Sequence, residues 1–169
     1  LRQASVALPY FAGDIPRQIF LAEFSIGGSR IAVATTHLAF PPAFFREREI
    51  QLQKALDAID QFTAHSDMDA IILAGDFNEE SSSPAVQAVL GSRHGFLDAH
   101  SACHPDDPGA PFTSRNPYVG RGFKTGQRIF FFFAPRRLEP VECRLAFDGT
   151  GGLDFVSDHL GVLCIFALK

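Results

Sequence analysis

Three short polar clusters carry the residue types from which a reactive site can be built: Thr36-His37, Asp76 with Asn78, and Ser157-Asp158-His159. Carboxylates hold a hard cation such as Mg²⁺ through oxygen. A histidine titrating near neutrality can take a proton from water. A second histidine and an amide can donate hydrogen bonds to charge developing on phosphate oxygens. Together these groups point to metal-assisted phosphoryl transfer. Each also has a plain structural reading. His37 can be a strand-end histidine bonded to a loop, and Asp158 can cap a turn before the last strand.

The elements that must position these residues read as follows. Arg17 to Leu38 alternates like two strands joined at Gly27-Gly28, a good two-residue hairpin turn. The second strand runs into His37. Pro41-Pro42 then opens a helix predicted from about Pro42 to His65, with Phe45, Leu52, Leu56, Ile59 and Phe62 as its apolar face. Arg46, Arg48, Glu49 and Lys54 fall on its solvent side. A strand over Ala70–Ala74 delivers Gly75-Asp76-Phe77-Asn78 at its exit. Ser82-Ser83-Pro84 is an N-cap and first-turn signature for a short helix through Leu90, stopped by Gly91. Residues 92–127 read as one long surface loop, with His65, His94, His100 and His104 as surface histidines. Three strands follow, at Arg128–Ala134, near Val141–Phe147 and at Leu160–Leu168. The order β-β-α-β-α-loop-β-β-β predicts an α/β or α+β fold with a mixed sheet.

The chain has 169 residues, 46% of them hydrophobic and 20% charged, enough for one domain with a real core. Its formal charge is −4, and Arg136-Arg137 is its only basic cluster, which disfavours a dedicated nucleic-acid binder. No apolar run reaches the ~20 residues that span a bilayer. Cys103, Cys143 and Cys164 are odd in number and lack CxxC spacing, so neither a zinc site nor a disulfide framework is expected. Cys164 reads as a small core residue. No signal peptide is visible, which says nothing about location if the N-terminus is missing; the location is left open, with a slight lean to the cytoplasm. The chain begins at Leu1 in a sequence that reads as mid-domain, so the expectation is that the native N-terminus lies upstream.

The segments "TTHL", "GDFN" and "SDHLGV", in this order with a helix between the first two, resemble the endonuclease/exonuclease/phosphatase superfamily. "REREIQLQKAL" has the Arg-then-Gln pattern usual in that helix, and "RIFFFF" occupies the slot of the family's Arg-Ile-Asp-Tyr strand. The resemblance spans Arg17 to Phe166. It implies a DNase I-like layered β-sandwich flanked by helices, of which this chain supplies about the C-terminal half. It also implies a Mg²⁺-dependent (or Mn²⁺-dependent) phosphoesterase acting on a phospholipid, an inositol phosphate or nucleic acid. The segment from Thr113 to Ile129 leans toward the sphingomyelinase-like members, with Arg115, Arg121 and Lys124 as cations that can meet a phosphate.

Carried over by position, His159 is the general base and Asp158 a metal ligand. Asp76 and Asn78 position nucleophile and phosphate, His37 contacts the phosphate, and Thr113 lines the site. Two departures stand out. The family's N-terminal Asn and metal-binding Glu have no counterpart here, and Phe130 replaces the Asp that fixes the tautomer of the catalytic His. The rival reading is therefore a catalytically impaired module that binds a phosphorylated ligand or a protein. A half-sandwich also leaves an apolar sheet face uncovered, so the isolated chain is expected to self-associate.

Overall fold

The computed structural model describes residues 2–107, 109, 113–120, 126–135, 137–149 and 154–168. Among these residues eight strands and three helices follow one another as β1 (Gln3–Ala7), β2 (Gln18–Ile26), β3 (Ser29–His37), α1 (Phe45–Thr63), β4 (Ala70–Asp76), α2 (Pro84–Leu90), β5 (Phe96–Asp98), α3 (Ala99–Cys103), β6 (Phe130–Pro135), β7 (Leu138–Ala146) and β8 (Gly161–Leu168). Six strands form one mixed sheet in the order β1-β2-β3-β4-β6-β5, and β7 pairs with β8 in a separate two-stranded sheet. The Gly27-Gly28 turn folds β2 onto β3, both glycines having positive φ as such turns require. Strands β3 and β4 are parallel, so their connection is the crossover helix α1.

The core lies between one face of the large sheet and α1 with α2. Ile19 and Leu21 of β2, Leu73 of β4 and Phe131 and Phe133 of β6 pack there with Leu52, Ile59, Val86 and Val89. The opposite face is covered in part by Phe166 of β8, which packs with Ile31, Val33 and Ile72. Phe20, Phe24 and Ile26 of β2 are 40%, 44% and 61% exposed.

Several expectations change. Helix α1 begins at Phe45 rather than Pro42, and Phe45 is exposed, with the Arg46 guanidinium over its ring, instead of joining the apolar face. Arg48 is not on the solvent side: it is 3% exposed, held by acceptors described below. The supposed long loop contains β5 and α3, because Asp98 caps α3 through the His100 and Ser101 amides and also pairs with Arg128 at 2.6 Å. His94 and His100 are not surface residues. His94 packs beside Asp60 (3.1 Å), and the buried His100 meets the Asp107 carbonyl through Nε2 (3.1 Å). Cys164 is half-buried and disulfide-bonded to Cys143, its register partner across β7 and β8. Short and partly polar, β1 gave no strand signal. It forms because its backbone pairs with β2. Among the described residues no helix is long and apolar enough to cross a membrane.

Candidate active site

The exits of β3 and β4 lie side by side. His37 and Asp76 are register partners, and His37 Nε2 stands 3.5 Å from Asp76 Oδ2. The chain then makes a tight web. The Leu38 amide donates to the Asp76 carbonyl (2.9 Å), the Asn78 amide to Asp76 Oδ1 (2.8 Å), and Asn78 Nδ2 to the Leu38 carbonyl (3.0 Å). Each letter of Gly-Asp-Phe-Asn has a physical reason. Gly75 has φ +147°, and a Cβ there would run into the Thr36 carbonyl oxygen, so only glycine lets β3 approach. Phe77 is fully buried, edge-on to Phe131 and Phe133, and anchors the turn in the core. Asn78 sits at φ 50°, a left-handed conformation that Asn tolerates better than most residues.

Helix α1 staples this web from outside. Arg48 donates to the carbonyls of Ala39 (3.0 Å), Pro41 (2.8 Å) and Pro42 (3.2 Å), and its Nε meets Glu79 at 2.6 Å. Gln51 accepts from the Ala39 amide (2.8 Å) and donates to the Pro9 carbonyl (2.9 Å). A charged side chain is buried at such a place only when its donors are met. The Arg-then-Gln spacing in the helix pointed here, but an amphipathic reading assigns Arg48 to water. Only the tertiary contact to the 38–42 segment reverses it.

On the other side, Asp158 and His159 precede β8. Asp158 is exposed and accepts from Ser157 Oγ (3.0 Å), while its Oδ2 lies 3.9 Å from His159 Nε2. The Phe130 ring lies against the His159 imidazole, centroids 4.6 Å apart. Asn116 donates to the Ser157 carbonyl (2.8 Å), tying the 113–120 segment to this loop. The two sides enclose a cavity of about 700 Å³ lined by His37, Asp76, Asn78, Asp158 and His159, together with Phe40, Pro42, Arg48, Glu79, Glu80, Gln127 and Ile129. Glu80 and Gln127 are hydrogen-bonded across its rim. Thr113 does not line this cavity. Its carbonyl and hydroxyl oxygens accept from the Asn116 and Arg115 amides in a turn. Arg115 is exposed, and Arg121 and Lys124 lie outside the described residues.

Electrostatics divide the roles. Burial pushes the Asp76 carboxyl up to about 6, against the Asn78 N–H bond and the Arg17 charge, which pull it down. Burial lowers His37 below the ordinary imidazole range, and Arg17 and His159 push the same way. His159 is also lowered by burial, with Asp158 opposing. Both imidazoles are thus neutral at pH 7 and able to accept a proton. Among the described residues no group of three or more His, Cys, Asp or Glu side chains converges to hold a metal ion. The carboxylates lining the cavity are nonetheless the hard oxygen donors that suit Mg²⁺, an ion often held by one or two carboxylates with water and phosphate completing its shell.

No family model matches the chain. Among curated proteins it is similar to tyrosyl-DNA phosphodiesterase 2 of Xenopus tropicalis, 28% identical over 175 aligned positions that take in 95% of this chain and 44% of that protein. The chain therefore spans less than half the length of that relative. Among solved structures it superposes on TDP2 of D. rerio complexed with a single-strand DNA product (TM-score 0.75, 19% identity, 99% of this chain and 67% of that one). A mannosyl-6-phosphatase of Bacteroides thetaiotaomicron is as similar in shape (TM-score 0.75, 13% identity, 99% and 66%). An endonuclease/exonuclease/phosphatase of Beutenbergia cavernae matches with TM-score 0.71 at 23% identity, over 99% of this chain and 45% of that one. The fold of this chain is that of the DNase I-like endonuclease/exonuclease/phosphatase superfamily, of which it spans a part.

Proposed function

We propose that this chain carries the phosphate-binding and water-activating side of a Mg²⁺-dependent phosphoesterase, with Mn²⁺ as an alternative ion. The convergence of His37, Asp76, Asn78, Asp158 and His159 on one cavity supports this reading. His159, neutral at pH 7, takes the proton of a water as the water oxygen bonds to phosphorus. The ester P–O bond breaks on the opposite side, solvent water protonates the leaving alcohol oxygen, and His159 returns its proton to solvent. Asn78 and His37 orient the phosphate oxygens, and Asp76 holds the Asn78 turn in place. Asp158 is the carboxylate from this chain that would hold the metal. When bound, the ion supplies Lewis-acid stabilisation of charge on the phosphoryl oxygens.

The relatives that share the fold include proteins named for DNA-linked and sugar-linked phosphates, so a phosphate ester is the substrate class and nucleic acid one member of it. The second reading, a binding module, is favoured by one observation: the Phe130 ring packs on His159 at the position where the resemblance implies an Asp. Hydrolysis of a generic phosphodiester by the full-length protein, with and without Mg²⁺, separates the two. Metal-dependent turnover abolished by His159→Ala supports the enzyme, and absence of metal-dependent turnover leaves the binding module. Self-association of the isolated chain is part of the same proposal, through the exposed β2 side chains Phe20, Phe24 and Ile26.

A further inference from the structure

The cavity is much larger than a phosphate needs, and its walls differ in kind. The polar groups gather at the strand ends and the Asp158-His159 loop, whereas Phe40, Pro42 and Ile129 also line it and are apolar. Phe40 is 50% exposed. It is also held firmly. On one side of Phe40, Ala39 is bonded through both its amide and its carbonyl, to Gln51 and Arg48. On the other side, the carbonyls of Pro41 and Pro42 accept from the same Arg48. A buried charge and a buried amide from α1 thus fix the backbone around the Phe40 ring at the cavity wall.

We propose that Phe40 is a specificity-determining residue, receiving the apolar alcohol portion of a phosphate ester. This rests on the phosphate site proposed above. The alcohol portion can be a flat ring or an alkyl chain. Both present the same chemistry to Phe40, and the experiment separates them.

Dissociation constants for methyl phosphate, phenyl phosphate and hexyl phosphate would be measured on the full-length protein with Mg²⁺, by calorimetry, beside His37→Ala and Phe40→Ala. The expected result is binding of phenyl or hexyl phosphate about tenfold tighter than methyl phosphate. Whichever of the two is preferred identifies the ring or the chain as the natural group. In Phe40→Ala the preference falls to within about twofold, Phe40→Leu restores part of it for the alkyl ester, and His37→Ala weakens all three probes alike. Equal affinity for all three probes, or a preference unchanged in Phe40→Ala, overturns this assignment and leaves the phosphate site standing. No binding of any probe overturns both.

Discussion

The two sides of the cavity are built by different means. His37, Asp76 and Asn78 stand at the ends of adjacent parallel strands, and their turn is cross-bonded and stapled by Arg48 and Gln51 from a nineteen-residue helix. Asp158 and His159 ride on the connection between β7 and β8, in a sheet of only two strands. That side is held by the Asn116 bond to Ser157, the Phe130–His159 ring contact and the Cys143–Cys164 disulfide behind it. The contrast teaches how the labour is divided. In the mechanism proposed above, the groups that orient a phosphate sit on the deep sheet, and the imidazole given the proton sits on a loop. Loops carried by a rigid scaffold are where such groups are commonly found.

The comparison can be broken from either side. Arg48→Ala removes a buried guanidinium and leaves Glu79 without its partner at the cavity edge. A loss of about 3–5 kcal/mol in urea denaturation is expected, with the amides of residues 38–42 shifting most in NMR spectra. Reduction of Cys143–Cys164, which closes a 21-residue separation, is expected to cost about 3 kcal/mol. The same spectra should then move at residues 154–160 and not at 37–42. Shifts of equal size on both sides in either experiment would mean that the two halves are not independently held.

Asp76 sharpens the strand-end side through pH. Its carboxyl titrates near 6 in the folded chain, against 3.8 for an unperturbed aspartate, so the folded state binds a proton more tightly than the unfolded one. Stability from this group is therefore greatest below about pH 4, falls as pH rises from about 4 to 6, and is level above that. The burial cost of the charge at pH 8 is up to about 3 kcal/mol. Asp76→Asn keeps an acceptor for the Asn78 amide and escapes this cost. It should be more stable than the parent by roughly 1–3 kcal/mol at pH 8, with the difference vanishing near pH 4. A pH-independent difference would show that Asp76 is not buried as described. The smallest effect belongs to the open sheet face. Phe24→Lys should lower the apparent mass by light scattering at micromolar concentration without changing stability by more than about 0.5 kcal/mol. A parent chain that is already a clean monomer would remove the proposed association.

Much of the fold was legible because its signals were local. The Gly27-Gly28 turn, the Ser83 cap with Pro84 and the apolar spacing of Leu52, Leu56, Ile59 and Phe62 each act within a few residues. Each appears where expected. The strand-end placement of His37 and Asp76 was legible for the same reason. What escaped was long-range. Arg48 is buried by acceptors six to nine residues before it and by Glu79 beyond the next strand. Strand β1 is set by its pairing with β2 and by Ala4 and Val6 packing on the core, and Cys143 meets Cys164 in the register of β7 and β8. Phe40, a single aromatic in a proline-flanked segment, carried no pattern at all. Its place in the cavity follows from contacts made by α1.

The central claim is that the strand-end side and the loop side form one phosphate site, and NMR titration of the chain with inorganic phosphate in the presence of Mg²⁺ tests it most directly. The account predicts that the Asn78 side-chain amide and the His37 and His159 imidazoles shift together along one binding curve. Shifts at His37 and Asn78 with His159 unmoved, or separate curves for the two sides, would contradict it.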